Sequence, residues 1–419
     1  MDQNKEKSLQ ISARYALQFY GESLYLFDTY HGFEEYQLNS VEADILLLIN
    51  KLHILHDVFS QLSKDYNLSA DSAEVHELFD AFISRMEERE ILETGNLEHL
   101  VVGVPNTCYP IIFAIELTDR CNLECSHCYK DAMKRNSCYI PTQFVETLFK
   151  DISGKTWHVE FTGGEATLHP DFEHIIEKAN FPSMALLTNG SRLSKISLDI
   201  LKKFNNIQVS CYGASANEYQ EYTKSGAFNS FCTGIKRLTA ENIDTTIALI
   251  LRKTNFRRLE EYASMFSDLG VKDIRFGLTR KLGRNSDGVT EWDMSYDECL
   301  LFDDVLSEVK QKFPSLQFLP FNWKHDYESS FVTKEHYQIG CSAGRKSIVI
   351  SEHEKVRPCT MMPADYFGKF TWDEYKKIID SGNQFDFSGC VEDCLQAYKK
   401  QGKRLSRRFP CFFLSVSEP

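Results

Sequence analysis

Three closely spaced cysteines constrain what this chain can fold into more than any other feature of its sequence. Cys121, Cys125 and Cys128 have the spacing C-x3-C-x2-C. Because iron–sulfur clusters are held by cysteine thiolates, this loop can hold three irons of a four-iron cube and leave the fourth open to a substrate. The preceding residues 111–118 are mostly apolar and predict a buried strand. The cysteines are therefore expected at the end of a strand, where α/β folds place their chemistry.

The cysteine spacing resembles the signature of the radical SAM enzymes. His127 precedes Cys128, at a position where that family usually has an aromatic ring. The resemblance implies a [4Fe–4S] cluster whose open iron chelates S-adenosyl-L-methionine, and a 5′-deoxyadenosyl radical that abstracts a hydrogen atom. On spacing alone, the alternative is a structural zinc loop in which His127 is a fourth ligand.

Composition narrows the function without deciding it. The chain has 419 residues, which suggests two to three domains, and its net charge of −13 argues against nucleic-acid binding through bulk electrostatics. No apolar run is long enough to cross a bilayer, and the charged residues 1–7 lack a secretory signal. Thirteen cysteines without a signal peptide are more typical of metal binding than of disulfides. We therefore expect a cytoplasmic protein with no membrane or nucleic-acid partner.

Residues 1–95 predict a winged-helix-like α+β module. Residues 23–28 and 33–38 have strand patterns on either side of a turn, and three helical patterns follow. This order resembles the PqqD-like recognition elements of ribosomal-peptide maturation. The resemblance implies that the leader of a ribosomal precursor peptide binds residues 1–95 by adding a strand beside residues 33–38.

The third helix of this module has two possible roles. The resemblance implies that the leader packs on a face that includes Phe79, Ile83 and Met86, but these apolar residues are equally suited to the core of the module itself. A generic winged helix would suggest DNA binding. The acidic residues Glu74 and Asp80 on this helix would repel phosphates.

Strand and helix patterns alternate over residues 108–312, the region that the resemblance implies is the radical SAM core. About six such units favour a parallel sheet with helices outside, curved into a partial (β/α)6 barrel that is open on one side. After the strand at 111–118, the predicted strands are 158–161, 184–187, 207–211, 245–251 and 273–276.

Residues at the ends of these strands also resemble the cofactor-binding positions of radical SAM enzymes. Gly163-Gly164-Glu165 follows the second strand, and such a stretch binds the methionine amino group of the cofactor in radical SAM enzymes. Its glycines would let a ligand approach the backbone. By the same resemblance, Asn189 contacts the cofactor ribose and Ser210 meets its polar groups, although Asn-Gly is equally good turn chemistry.

The resemblance leaves the contact to the carboxylate of the cofactor open. Many relatives have Asp where this chain has Tyr212, and Arg near the position of Tyr222. Lys224 is a possible substitute for that arginine.

Residues 313–419 contain a second group of cysteines. Residues 347–351 and 355–359 predict a hairpin, and thiolates from separated segments can organise a small domain around a metal. The group resembles the SPASM domain, or its shortened Twitch form, of radical SAM peptide maturases. That resemblance implies one auxiliary [4Fe–4S] cluster, with zinc as the alternative. Cys341, Cys359 and Cys394 are its expected ligands, and Cys390 and Cys411 compete for the remainder.

Together, the three regions predict a radical SAM maturase of the sactipeptide or ranthipeptide type. It would install thioether crosslinks from a substrate cysteine to a backbone or side-chain carbon of a precursor peptide. An external one-electron donor of the flavodoxin or ferredoxin type would supply electrons. The alternatives are a carbon–carbon crosslink of the Lys–Trp type, or a non-enzymatic peptide-binding scaffold with a structural metal. No catalytic side chain is identified from the sequence.

Overall fold

A computed structural model gives the structure of the protein. It describes residues 7–29, 35–36, 38–69, 72–132, 138–279, 283–285, 294–321, 323, 344, 346–359 and 370–385. The chain forms two compact units. One contains the residues up to Tyr109 and Ile379–Asn383, and the other contains Pro110–Ile378 and continues from Gln384.

The first unit is an α+β module. Its sheet has the order β4–β3–β2–β6, so β4 lies at an edge, and β1 pairs separately with β5. Of the predicted strand at 33–38, the described part is Glu35–Tyr36, which pairs antiparallel with β3. The elements are β1 (Leu9–Ile11), β2 (Tyr15–Tyr20), β3 (Ser23–Asp28), β4 (Glu35–Tyr36), α1 (Ser40–Leu52), α2 (Leu55–Asp65), α3 (Ala73–Glu88), β5 (Leu92–Thr94) and β6 (Val101–Val102).

Helix caps and an apolar core hold this module together. Asn39 and Glu42 form a reciprocal capping box at the start of α1. Along α3, Phe79, Ile83 and Met86 are 6%, 3% and 3% exposed, and they pack into a core shared with the other helices and the strands. The expectation that these three residues form an open peptide-binding face is therefore wrong, and the alternative that they form the core of the module is confirmed.

The second unit alternates strands and helices as predicted. Its strands are β7 (Ile112–Glu116), β8 (His158–Thr162), β9 (Ser183–Thr188), β10 (Asn206–Cys211), β11 (Thr245–Leu251), β12 (Asp273–Leu278), β13 (Gln317–Phe318), β14 (Ser347–Ile350), β15 (Lys355–Arg357) and β16 (Phe370–Thr371). Its helices are α4 (Thr142–Ile152), α5 (Phe172–Lys178), α6 (Leu198–Leu201), α7 (Ala216–Thr223), α8 (Phe228–Ala240), α9 (Leu259–Asp268), α10 (Tyr296–Lys312) and α11 (Trp372–Asp380). Among the described helices, none is long and apolar enough to span a bilayer.

These strands form one sheet in the order β13–β12–β11–β10–β9–β8–β7–β14–β15–β16. The strands from β13 to β14 are parallel, whereas β15 and β16 are antiparallel additions. Within the described part of the chain, β13 does not pair with β16, so the sheet does not close. The predicted partial (β/α)6 barrel is thereby confirmed.

The hairpin predicted after residue 347 is present as β14 and β15, and β14 also extends the parallel sheet. Ser347–Ile350 lies beside Ile112–Ile115 of β7. All five residues of β7 and all four of β14 are buried, which suits strands in the interior of a parallel sheet. The strand that leads into the cysteine loop is therefore covered on both edges, by β8 and by β14.

Candidate iron–sulfur and cofactor site

The three thiols of the cysteine loop lie just beyond the end of β7. Cys121 and Cys125 are buried and Cys128 is partly buried, and all three are free. Burial, followed by the negative charge of Glu165, raises the pKa of Cys121 to about 11. Burial and the neighbouring thiols also raise the pKa of Cys125. Because metal ligation requires thiolates, loading this loop with a cluster would release protons.

Hydrogen bonds from the protein reach two of these sulfurs. Leu123 N and Asn189 Nδ2 donate to Cys121 Sγ at 3.4 and 3.7 Å. Ala132 N donates to Cys128 Sγ at 3.5 Å. Donors of this kind stabilise thiolates and tune the potential of a cluster that they hold. The protein thus supplies N–H donors that can stabilise thiolates at Cys121 and Cys128.

The glycine pair after β8 packs against the backbone that leads into the loop. Gly163 has a φ of +132°, and a Cβ there would lie 2.3 Å from Thr118 O. At Gly164 a Cβ would lie 2.4 Å from Arg120 O. The sequence suggested close approach by a ligand, but the structure shows close approach by neighbouring backbone. Glycine is needed at both positions because any side chain would push the two loops apart.

Glu165 joins the ends of β8 and β9. Its carboxylate is 1% exposed and accepts hydrogen bonds from Thr167 Oγ1 at 2.6 Å, Thr188 Oγ1 at 2.7 Å and Asn189 N at 2.7 Å. Among the described residues, no lysine, arginine or histidine forms an ion pair with it. The site therefore keeps an oriented negative charge beside Cys121, which suits a cationic ligand group.

The other two predicted cofactor contacts also lie at this end of the sheet. Asn189 is 5% exposed, and its side chain donates to Asn122 Oδ1 at 3.0 Å as well as to Cys121. Ser210, on β10, is half-buried, and its side chain acts to lower the pKa of Tyr212, which burial raises. Tyr212 in turn acts to lower the pKa of Cys125, against the larger opposite effect of burial. Asn189 thus contacts the cysteine loop directly, and Ser210 lies at the end of the neighbouring strand β10.

A stack of three side chains beside the loop was not predicted. The His127 ring stacks on Tyr222 with centroids 4.4 Å apart, and the Arg252 guanidinium carbon lies 3.8 Å from the Tyr222 centroid. Arg252 is 3% exposed, whereas Lys224 is exposed and its ammonium donates to Glu221 O. The buried cation near Tyr222 is therefore Arg252. Its place directly after a buried strand was the one sequence feature that could have indicated it.

Three buried polar atoms in this region lack a hydrogen-bond partner within the described structure. They are His127 Nδ1, Tyr219 Oη and Arg252 Nε. A buried polar group left unpaired costs about 1–3 kcal/mol, so a ligand that pairs these atoms would recover that cost. Together with the Glu165 carboxylate, they offer an anion, an N–H donor of Arg252 and aromatic surface, although the Arg252 charge is itself paired with Glu218 at 3.1 Å. This donor set fits S-adenosylmethionine, which has an ammonium, a carboxylate and an aromatic base.

Residues 115–266 match the family model described as the Radical SAM superfamily. The chain contains a radical SAM domain. Such a domain implies a [4Fe–4S] cluster and S-adenosylmethionine, so this part of the cofactor prediction is confirmed, whereas the auxiliary cluster stays a prediction.

Relatives extend the similarity beyond the radical SAM domain. AlbA of Bacillus subtilis, the "antilisterial bacteriocin subtilosin biosynthesis protein", is 25% identical over 365 residues, which cover 83% of this chain and 78% of AlbA. The "sporulation killing factor maturation protein" SkfB of the same organism is 23% identical over 337 residues, or 78% of each chain. The structure of Streptococcus suis SuiB bound to precursor peptide SuiA has a TM-score of 0.61 at 14% identity, covering 91% of this chain and 90% of SuiB. That structural likeness shows a shared fold.

A buried ion network is centred on Glu116, the last residue of β7. Glu116 pairs with Arg357 and, at 2.8 Å, with Lys130 Nζ, and Lys130 also pairs with Glu352 at 2.8 Å. The network joins β7, the end of the cysteine loop and the β14–β15 hairpin. Burial acts to raise the pKa of Glu116, but the charges of Arg357 and Lys130 outweigh it and lower that pKa to about 2.

Of the five cysteines predicted to hold an auxiliary cluster, the structure describes one. Cys359 is partly buried and lies two residues after β15. Burial and then the charge of Glu116 raise the pKa of Tyr129, and the thiols of Cys128 and Cys359 both act in the same direction. Cys341, Cys390, Cys394 and Cys411 lie outside the described residues.

Proposed function

We propose that this protein is a radical SAM maturase of a ribosomally synthesised peptide. It would form thioether crosslinks from substrate cysteines to a backbone or side-chain carbon of the precursor. The observation that carries this proposal is the convergence of three thiols, the buried Glu165 carboxylate and three unpaired polar atoms at one end of the sheet. The biosynthetic and maturation roles in the names of AlbA and SkfB support a peptide substrate.

In this proposal, Cys121, Cys125 and Cys128 hold three irons of a [4Fe–4S] cluster. Sulfurs around one tetrahedral zinc lie about 4 Å apart. Among the described residues, the group of possible metal ligands that lie within 4.8 Å of one another is Asp119, Glu352 and His353, and it does not include the three thiols. The wider spacing of the thiols favours a four-iron cube over a single zinc ion with His127 as a ligand.

The surrounding residues would bind and orient the cofactor. Glu165 presents its carboxylate to the ammonium group, while Gly163 and Gly164 hold that carboxylate close to the cysteine loop. Asn189 orients the Cys121 sulfur and contacts the ribose, and Ser210 acts with Tyr212 at the neighbouring strand end. A bound, reduced cluster with S-adenosylmethionine would supply a 5′-deoxyadenosyl radical to take one hydrogen atom from the substrate carbon. The substrate thiol would lose its proton as its sulfur bonds to that carbon, and the auxiliary cluster would accept the one remaining electron.

The leader of the precursor would bind the first unit, within residues 1–95. Because β4 is an edge strand, it can accept an added strand through backbone hydrogen bonds. The buried residues of α3 are not available, but Leu78 on the same helix is 68% exposed. SuiB, which has the same fold, has been solved with its precursor peptide bound.

An auxiliary [4Fe–4S] cluster would be held by Cys341, Cys359 and Cys394, completed by Cys390 or Cys411. A flavodoxin or ferredoxin would deliver single electrons to the enzyme. Iron and sulfide analysis of the wild type and of a Cys121→Ala/Cys125→Ala/Cys128→Ala variant tests this. The variant should retain about four irons per chain, the content of one such cluster, and a variant without iron would contradict the auxiliary site.

Mass spectrometry of the precursor tests the proposed reaction. The reduced, reconstituted protein is incubated with S-adenosylmethionine and a candidate precursor, a short cysteine-rich reading frame to be sought beside its gene. We expect 5′-deoxyadenosine and the loss of two hydrogens per crosslink, with fragments that place each bond at a cysteine sulfur. A precursor whose cysteines are replaced by serine should stay unmodified. A crosslink between two carbons would refute the thioether, and a protein that yields no 5′-deoxyadenosine would be a peptide-binding scaffold.

A further inference from the structure

A short turn between β12 and α10 reaches back to the cysteine loop. Arg284, in the 3-10 turn Gly283–Asn285, donates its backbone N–H to Cys128 O at 3.0 Å. Its guanidinium donates from Nε to Cys125 O at 3.0 Å, and from Nη1 to Ala132 O at 2.7 Å and Asp131 Oδ1 at 3.0 Å. One residue therefore bonds four positions of the segment that carries the second and third thiols.

Gly283 makes this approach possible. Its φ is +56°, and a Cβ would lie 2.4 Å from both Cys128 O and Tyr129 O. These neighbours are backbone atoms, which cannot move aside without changing the loop. Any other residue at this position would separate the turn from the loop.

The segment held by this turn has little regular structure of its own. Between Cys125 and Ala132 its internal backbone hydrogen bonds are Cys128 N to Cys125 O at 3.1 Å and Asp131 N to Cys128 O at 3.3 Å. Asp131 has a φ of +53°, a conformation that non-glycine residues adopt rarely. External contacts are therefore needed to fix the positions of the Cys125 and Cys128 sulfurs.

Arg284 also places a positive charge beside the thiols. Its guanidinium Nε lies 3.0 Å from the backbone oxygen of Cys125, and its ion-pair partner Asp131, at 3.0 Å from Nη1, is largely exposed to solvent. Because a cluster gains negative charge on reduction, a nearby cation favours the reduced form.

We propose that Gly283 and Arg284, here called the loop clamp, are positioning residues that hold the cysteine loop in its cluster-binding shape and raise the reduction potential of the cluster. The proposal rests on the proposed function, because it assigns the clamp to the radical SAM cluster. Its two parts separate experimentally, since a lysine at position 284 keeps the charge but cannot bond several acceptors at once.

The test compares Arg284→Gln and Arg284→Lys with a matched control, Arg237→Gln. Arg237 likewise uses its guanidinium to bond two backbone carbonyls, those of Leu193 and Ile196 at 2.7 and 2.6 Å. Each protein is reconstituted without oxygen, and the rate of cluster loss to a chelator is measured. The reduction potential is followed on the electron paramagnetic resonance signal that S-adenosylmethionine alters, since an open iron is needed for that response.

We expect both Arg284 variants to lose the cluster roughly 10-fold faster than the wild type, as is typical when a group that supports metal ligands is removed. The potential should shift to more negative values in Arg284→Gln and stay near the wild-type value in Arg284→Lys. Arg237→Gln should match the wild type in both measurements. Wild-type values for Arg284→Gln would overturn the proposal, and equal potential shifts in both variants would overturn its charge component.

A measurement on metal-free protein separates failure of the clamp from failure of the proposed function. Alkylation of Cys125 and Cys128 is compared with alkylation of the buried Cys299, which monitors global unfolding. In Arg284→Gln we expect several-fold faster alkylation of the two loop thiols and an unchanged rate at Cys299. Equal loop rates would refute the clamp whichever metal the protein binds. Zinc in the wild-type loop would refute the radical SAM function but leave the alkylation result decisive.

Discussion

Two buried glutamates, at the ends of neighbouring strands, have different surroundings and therefore different roles. Glu116 ends β7 and Glu165 follows β8, and each is 1% exposed. Glu116 is balanced by two cations, Lys130 and Arg357, in a network that joins segments distant in sequence. Glu165 is held by hydroxyl and amide donors and, within the described residues, by no cation.

The difference shows which carboxylate belongs to the structure and which to a ligand. A buried charge is costly unless it is paired. The charge of Glu116 is already balanced by cations of the protein, so Glu116 needs no ligand. A buried carboxylate without a cation is typical of a functional site, because its missing partner can be supplied by what binds. The following experiments test this distinction.

The largest expected effect is on folding at Glu116. Glu116→Gln leaves two buried cations undercompensated and should lower the free energy of unfolding by about 3–5 kcal/mol. Urea denaturation of the metal-free protein measures this. Glu261→Gln, which removes an exposed partner of Arg258, is the control and should change it by less than about 0.5 kcal/mol. A similarly small change for Glu116→Gln would contradict the claim that the Glu116 ion network stabilises the fold.

The next effect is on ligand binding at Glu165. Glu165→Gln removes the charge with little change in shape and should weaken S-adenosylmethionine binding about 10- to 100-fold, the value of a charged hydrogen bond. Equilibrium dialysis with reconstituted protein measures the dissociation constant. Folded Glu116→Gln protein should bind the cofactor within a few-fold of the wild type. If Glu165→Gln and Glu116→Gln lose equal affinity for S-adenosylmethionine, the claim that only Glu165 serves the ligand is wrong.

The pH dependence of stability should differ between wild type and Glu116→Gln. The pKa of Glu116 is lowered to about 2 in the folded protein, below its ordinary value of 4.5. Its stabilising contribution is therefore fully present above pH 4.5 and is lost as the pH falls towards 2. Unfolding free energies of the two proteins should converge across this range. Curves that stay parallel would show that ion pairing does not lower this pKa.

The smallest effect concerns the donors that orient Glu165. Thr188→Val removes the hydroxyl 2.7 Å from its carboxylate at nearly constant volume. We expect a loss of about 0.5–1.5 kcal/mol in unfolding free energy and a few-fold weaker cofactor binding. Thr147→Val, on an exposed helix surface where the hydroxyl bonds Gln143 O, is the control and should leave cofactor affinity unchanged. An affinity equal to wild type for Thr188→Val would mean that Glu165 needs no orientation.

Local patterns predicted the elements and the principal motifs of the site. Alternation of strand and helix patterns was enough to predict β7 to β12, because each unit is encoded within a short window. The cysteine spacing and the Gly163-Gly164-Glu165 stretch are likewise local. The sequence also indicated the strand ends that carry Asn189 and Ser210. What these features share is that their parts lie close together along the chain.

Features formed by distant segments could not be read from the sequence. The pairing of β14 with β7 and the contacts of Arg252 and Arg284 depend on the folded topology, since an arginine in a loop has no local pattern that names its partner. The apolar face of α3 has the same periodicity whether it forms a core or a groove, so Phe79, Ile83 and Met86 were ambiguous. Gly163 and Gly164 were correctly identified as sites of close approach, but the group that approaches them is neighbouring backbone and not a ligand.

The position of β14 has a consequence for synthesis of the protein. β7 receives its second neighbour only when residues 347–350 have left the ribosome, long after the cysteine loop has been made. Until then the nascent chain exposes one apolar edge of β7, the kind of edge that other chains can pair with. Capture of the C-terminal hairpin is thus a late, long-range step that also brings Arg357 to Glu116. A lower level of expression, which reduces encounters between chains whose β7 edge is still uncovered, should therefore reduce aggregation of the protein.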